Sequence, residues 1–226
     1  MDKSENIVEI LEMRDVTHNV RSIKVVKPEG YQFSPGQATE ISINKPGWRE
    51  KKRPFTFTSL NLDPVIEFTI KIYPDHNGVT RELDKLHPGD ELIIRDSWGT
   101  IQYHGPGYFI AGGAGVTPFI AILRQLRREN KLDENYLIFS NRKEKDVIYN
   151  DEFVDMLGTH FISTLTEEPT RKGYHDNRMI DSAFLKEHIK NTNKAFYICG
   201  PEEMVKSISD ILQEMGANTD SLVFEK

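Results

Sequence analysis

The chain has 226 residues, enough for one large domain or two small ones. Its 38% hydrophobic and 28% charged residues exclude collagen-like, coiled-coil and disordered classes. A net charge of −6 argues against a general nucleic-acid binder, whose affinity rests on neutralising phosphates. The single cysteine, Cys199, excludes an internal disulfide, and also a four-cysteine zinc site or iron–sulfur cluster within one chain. Redox chemistry here would need an organic cofactor or a haem. No stretch approaches the roughly 18 apolar residues of a membrane-spanning helix. The opening MDKSENIVEILEMRD is mixed in charge and has no apolar signal region, so a cytoplasmic protein is expected, with a monomer favoured.

In chain order, residues 7–103 read as short strands between turn signals. Ile7-Val8-Glu9-Ile10-Leu11 and Ser22-Ile23-Lys24-Val25 alternate as half-buried strands do. Turns fall at Pro28-Glu29-Gly30, Ser34-Pro35-Gly36, Lys45-Pro46-Gly47, Asp75-His76-Asn77-Gly78 and His87-Pro88-Gly89-Asp90. A short helix starts near Thr80. From Tyr108 the pattern changes to strands alternating with helices. The predicted strands are Tyr108–Ala111, Tyr136–Phe139, His160–Leu165 and Ala195–Cys199. The predicted helices follow Gly115, then cover Asp151–Leu157, Asp181–Lys190 and about Glu202–Met215. The expectation is a small antiparallel barrel over residues 1–103, followed by an α/β domain with a parallel sheet over 104–226. The junction is His104-Gly105-Pro106-Gly107.

Four motifs carry chemistry. Gly112-Gly113-Ala114-Gly115-Val116-Thr117-Pro118 follows a buried strand and opens a helix, where bare backbone and free N–H groups suit a pyrophosphate. Pro118 fits a first helical turn. The same glycines would also serve a tight turn needed only for packing. Cys199-Gly200-Pro201 again links a strand to a helix, and in an open parallel sheet both turns face the ligand side. Cys199 alone reads equally as a small buried hydrophobe. Arg53-Pro54-Phe55-Thr56-Phe57-Thr58-Ser59 combines a phosphate-binding fork, a ring to cover a planar cofactor and hydroxyls. Alone it would be a strand with a surface arginine. In Gly78-Val79-Thr80-Arg81-Glu82-Leu83, Thr80 is either an N-cap or part of a helix start left open to a phosphate. The seven histidines are scattered and form no metal motif.

Together and in this order the four motifs resemble the ferredoxin–NADP reductase superfamily, over roughly residues 5–225. Arg53 to Ser59 is similar to that family's R-x-Y-[ST]-x-x-S flavin motif. Gly78 to Leu83 is similar to its G-x-x-S-x-x-L phosphate motif, and Lys71-Ile72-Tyr73 to the strand beside the FAD. Cys199-Gly200-Pro201 with Met204 matches C-G-P-x-x-M. The resemblance implies an FAD-binding β-barrel and an α/β NAD(P)-binding domain. It places Arg53 and Pro54 at the FAD pyrophosphate, Phe55 against the flavin and Thr56 near flavin N5. Lys71, Ile72 and Tyr73 would lie along the FAD, and Gly78, Val79 and Thr80 would hold its pyrophosphate from the other side. Gly113, Gly115, Thr117, Pro118, Gly200, Pro201 and Met204 would line the NADH or NADPH site, with Cys199 near the nicotinamide. The implied activity is hydride transfer from NAD(P)H to the flavin, followed by electron transfer to a separate flavodoxin or ferredoxin.

The sequence departs from the family in places. Phe55 replaces the usual Tyr, Asn177-Arg178-Met179 replaces G-R-V, and Phe224-Glu225-Lys226 supplies Glu225 without a terminal aromatic. Thr56, Cys199 and Glu225 are the candidate catalytic residues. Cysteines for a fused ferredoxin module are missing. In Ser140–Asp146, Arg142, Lys143 and Lys145 suit a 2′-phosphate, whereas Glu144 and Asp146 oppose one. The similarity of that stretch to cytochrome b5 reductases favours NADH. Residues 45–53 hold five basic residues and one acidic residue, with Trp48 at the centre, a surface able to steer an acidic partner. The alternatives are a flavin, ferric or haem-protein reductase, or a binding module of the same fold without turnover.

Overall fold

Alternation along the first strand sorts its side chains. In β1 (Asn6–Thr17) Val8 and Ile10 are buried, while Ile7, Glu9 and Leu11 are exposed. The computed structural model describes residues 5–99, 101–168, 175–218 and 222–224. They group into two units: residues 1–99 with 117–125, and residues 100–116 with 126–226. Among the described residues no helix is long and apolar enough to cross a membrane.

The first unit is antiparallel. Its strands are β1, β2 (Val20–Val26), β3 (Ala38–Ile43), β4 (Arg53–Thr56), β5 (Val65–Lys71) and β6 (Glu91–Ile94), in the order β4-β3-β6-β1-β2-β5. β1 pairs with β6 through Asn6–Glu9 and with β2 from Ile10 onward, and its register shifts between Ile10 and Glu12. Such a bulge bends a strand enough to serve two neighbours. The end strands β4 and β5 meet where Phe57 bridges Phe68, and there the Thr58 N–H donates to the Glu67 carbonyl at 2.8 Å. This contact closes the sheet into a barrel and removes two open edges. Inside, Phe57 stacks on Phe33 with ring centres 4.2 Å apart, among Ile23, Ile41, Ile70 and Ile94. The short helix α1 (Val79–Leu83) buries Val79 and Leu83 in this core.

The second unit is a parallel sheet of β7 (Gly107–Gly112), β8 (Tyr136–Asn141), β9 (Phe161–Leu165), β10 (His175–Asp176), β11 (Ala195–Cys199) and β12 (Leu222–Phe224). Its order is β10-β9-β8-β7-β11-β12. The short edge strands β10 and β12 add to the four strands that apolar runs predict. The helices are α2 (Thr117–Arg128), α3 (Asn150–Leu157), α4 (Ser182–His188) and α5 (Glu202–Glu214). Of α2, residues 117–125 group with the first unit. Every residue of β7 is buried, as a central parallel strand requires. On one face Tyr108 and Ile110 pack with Phe184, Leu185, Ile208 and Leu212. On the other, Phe109 stacks on Tyr197 at 4.5 Å. α4 starts where the Asp181 carboxylate accepts the Phe184 N–H at 2.8 Å, an N-cap. Among the described residues, positive φ outside glycine occurs at Asn130, Glu134 and Tyr149, so Asn177, in the place of the glycine of G-R-V, does not adopt a left-handed backbone. Its side-chain amide instead reaches the carbonyls of Leu165 and Glu168.

Candidate functional site

Within the first unit the Arg53–Ser59 segment divides in two. Arg53 and Pro54 are exposed on β4, and Phe55 is half-buried against the barrel core. The Arg53 guanidinium donates to the Lys52 carbonyl at 2.7 Å, and among the described residues it forms no ion pair. Thr56 is buried, and the residues after it belong to the barrel. Phe57 is core, the Thr58 hydroxyl donates to the Glu67 carbonyl at 3.2 Å, and the Ser59 hydroxyl accepts the Glu67 N–H at 2.9 Å. The motif's second half therefore closes β5 onto β4, and only its first half presents groups to solvent.

The second barrel segment divides similarly. Ile72 and Val79 are core residues, so any contact they make with a ligand is through backbone. Tyr73 is exposed, stacks on His76 at 5.8 Å between ring centres, and has the Lys71 ammonium 5.9 Å from its ring. Gly78, not Thr80, is the N-cap of α1, and no side chain caps the helix. A Cβ on Gly78 would meet nothing within 4 Å. Trp48, at the centre of the basic segment, is half-buried against the barrel core with the Lys51 ammonium 4.0 Å over its ring. The Lys45 ammonium lies 3.0 Å from the Asp90 carboxylate.

In the second unit β7 and β11 are neighbours, with Ala111 opposite Cys199, so their terminal turns lie side by side. A Cβ on Gly115 would stand 2.4 Å from the Cys199 carbonyl oxygen, and one on Gly112 2.6 Å from the Met204 sulfur. One on Gly200 would stand 3.1 Å from the Gly112 nitrogen. These three glycines let two turns pack into each other, and Met204 covers them. Gly113 differs. Its φ is +52°, which favours glycine, and a Cβ there would meet nothing within 4 Å. It leads through a short 3-10 turn to Thr117, the first residue of α2, with Pro118 buried in the first helical turn. Cys199 is 6% exposed, and Pro201 is the exposed N-cap of α5.

At the end of β8, Arg142 is exposed, with its Nε 3.5 Å from a Glu167 carboxylate oxygen. The Asp146 carboxylate accepts the Lys143 N–H at 3.0 Å, and Glu168 accepts the Glu144 N–H at 2.8 Å. Glu167 and Glu168 escape a reading of the sequence, because pairing of β8 with β9 brings Glu167 to Arg142 and Glu168 to Glu144. Asp176, Glu187 and His188 converge within 4.8 Å, but Arg178 already bonds Asp176 at 2.8 Å and Glu187 at 2.5 Å. Burial holds the His188 pKa below its ordinary value. Glu225 lies outside the described residues.

The described residues thus form an antiparallel barrel and a parallel α/β unit, the latter with paired glycine turns at the carboxyl end of its central strands. Residues 109–210 match the oxidoreductase NAD-binding domain family. That match covers under half of the chain. The chain is similar to the reductase component of propane 2-monooxygenase from Rhodococcus jostii (strain RHA1), 26% identical over 96% of this chain and 62% of that protein. It is also similar to NADH-cytochrome b5 reductase 2 of Homo sapiens, 24% identical over 67% of this chain and 65% of that one. The chain thus spans under two thirds of these two relatives. In fold it is similar to a ferredoxin NADP+ reductase from Neisseria gonorrhoeae with bound FAD and NADP. That likeness has a TM-score of 0.83 at 23% identity and covers 98% of each chain.

Proposed function

We propose that the chain is an FAD-dependent NAD(P)H reductase that hands electrons to a separate acceptor. The observation that carries this reading is the division inside Arg53–Ser59: a fork that forms no ion pair among the described residues and a half-buried ring stay available, while the remaining residues build the barrel. Bound FAD and nicotinamide nucleotide would supply the hydride and one-electron chemistry. In this reading Arg53 binds the FAD pyrophosphate bidentately, and Phe55 lies against the flavin. Thr56 faces the flavin edge, the Lys71–Tyr73 backbone runs along the FAD, and the bare Gly78 backbone admits a phosphate close to α1. On the nucleotide side, Gly113 and the start of α2 at Thr117 receive the dinucleotide phosphates. Cys199 is placed beside the nicotinamide, and Gly115, Gly200 and Met204 shape the turns. Glu225 completes the assignment from the resemblance.

NADH is the proposed donor. Glu167 offsets the Arg142 charge, and Glu144 and Asp146 stand in the same segment, so a 2′-phosphate would meet carboxylates. The proposed acceptor is an acidic flavodoxin or ferredoxin drawn to Arg49, Lys51 and Lys52. The packed Trp48 and the Asp90-paired Lys45 favour a second reading, in which free flavin, ferric chelates or a haem protein is reduced. Comparing NADH-driven rates with flavodoxin, ferredoxin and free FMN at rising salt separates the two. A flavodoxin or ferredoxin rate that exceeds the FMN rate and falls with salt supports the protein partner. Equal or faster, salt-independent FMN reduction moves the reading to small acceptors.

A further inference from the structure

We propose that Arg124 and Glu67 are positioning residues that hold the first turns of α2 in register with the Arg53–Ser59 strand; this inference rests on the function proposed above. Both partners belong to the first unit. Glu67 is 6% exposed and sits on β5 beside the end of that motif. One carboxylate oxygen accepts the Ser22 hydroxyl at 2.6 Å, and the other accepts Arg124 Nη1 at 2.7 Å. The same Nη1 donates to the Thr58 carbonyl at 2.7 Å. One guanidinium nitrogen therefore ties a helix to a strand carboxylate and to the motif's own backbone.

Arg124 follows Thr117 by about two helical turns, and each residue advances the helix by about 1.5 Å. A one-residue slide of α2 along the barrel would break both Arg124 bonds together. Stability alone does not explain the arrangement. Well-packed neutral residues of similar volume commonly replace a buried ion pair without loss. What the pair adds is a fixed geometry between Thr117, proposed at the dinucleotide, and Arg53 to Thr56, proposed at the flavin. Hydride transfer is steep in distance, so register should appear in the rate of that step.

The test is the double variant Arg124→Met/Glu67→Gln, which keeps volume and removes both charges, with Arg124→Lys as a cation on a shorter stem that keeps the charge without the planar guanidinium. The FAD-loaded proteins are mixed anaerobically with NADH, and the limiting rate of flavin reduction is read separately from the apparent NADH dissociation constant. The expected result is a melting point near that of wild type and an NADH constant within about threefold. The limiting rate should be lower on the order of 10- to 100-fold, with Arg124→Lys between. Hydrogen exchange on the FAD-free proteins gives a readout without turnover: amides of Phe119–Leu123 and of Thr58 should exchange at least about tenfold faster in the double variant, with β7 and β11 unchanged. An unchanged limiting rate overturns the proposal, whether or not the melting point falls, and so does a change in the NADH constant alone. Should the double variant not fold, Arg124→Lys alone carries the same comparison, because it keeps the charge and loses the guanidinium that ties α2 to Thr58 and Glu67. A wild-type flavin that NADH does not reduce would instead defeat the functional reading, while the exchange data would still decide the register.

Discussion

The Arg53–Ser59 strand and the paired glycine turns are both short motifs at strand ends, yet they spend their residues differently. On the barrel, polar motif residues turn inward: Thr58 and Ser59 serve Glu67 and the closure of β5, leaving Arg53 and Phe55 outside. In the α/β unit, glycines are consumed by each other: Gly115 lies under the Cys199 carbonyl and Gly200 on Gly112, leaving Gly113 open. In both regions the motif contains builders and contacts, and a list of motif residues does not separate them. Burial and Cβ clearance do.

The largest effect that would break this comparison is at Gly115. A methyl group 2.4 Å from a backbone oxygen cannot be accommodated by a side-chain rotation, so Gly115→Ala should destabilise the second unit by about 4 kcal/mol or more. Both tryptophans, Trp48 and Trp98, lie in the first unit. Urea titration should therefore lower the circular-dichroism midpoint and leave the tryptophan transition in place. An unshifted circular-dichroism midpoint would return Gly115 to the contact class.

Next in size is the pair Arg53→Met and Ser59→Ala. Removing the fork should weaken FAD binding by on the order of 10- to 100-fold with little change in the urea midpoint, since hydrogen bonds to charged groups contribute about 1.5–3 kcal/mol. Removing the Ser59 hydroxyl takes away the acceptor that the buried Glu67 N–H meets at 2.9 Å and should cost about 1–3 kcal/mol of stability, with FAD affinity unchanged. Fluorescence quenching of FAD reads the first quantity and urea the second. A crossed result would mean that the two halves of the motif have been assigned the wrong way round.

A smaller effect is expected at Met204. Its thioether covers Gly112 and Gly200, so Met204→Ala should cost about 1–3 kcal/mol, less than a fully buried methionine. NADH affinity, measured by titration, should stay within about threefold. A large loss of affinity at full stability would make Met204 a contact. The smallest effect concerns His188. Burial lowers its pKa in the folded state, so its contribution to stability is complete above the unfolded value near 6.5 and is lost as pH falls toward the lower folded value. Glu187, Asp176, Arg178 and Lys190 act on the same ring, and His188→Gln should flatten the decline in melting temperature between about pH 7 and 5.

Much of the fold was legible in local pattern. The alternation of Ile7–Leu11, the apolar run at Tyr108–Ala111 and the switch to helix spacing after Gly115 predict the barrel strand, β7 and α2. The edge strands β10 and β12 were not, because two or three residues leave no periodicity to read. The site was legible as motifs but not as roles. Ser59 reads as a flavin-motif serine until Glu67 is seen bonded to it, and Trp48 reads as the centre of a basic surface until the barrel core is placed beneath it. Glu167 beside Arg142, and Glu67 beside Arg124, are long-range pairings made by sheet order and helix packing, which no local window contains.

The most direct test of the central claim is the visible spectrum of the purified, FAD-supplemented protein under argon before and after NADH. Flavin bands should survive gel filtration and bleach on mixing with NADH, more readily than with NADPH. A protein that takes up no FAD, or flavin bands that persist with both nucleotides, would contradict it.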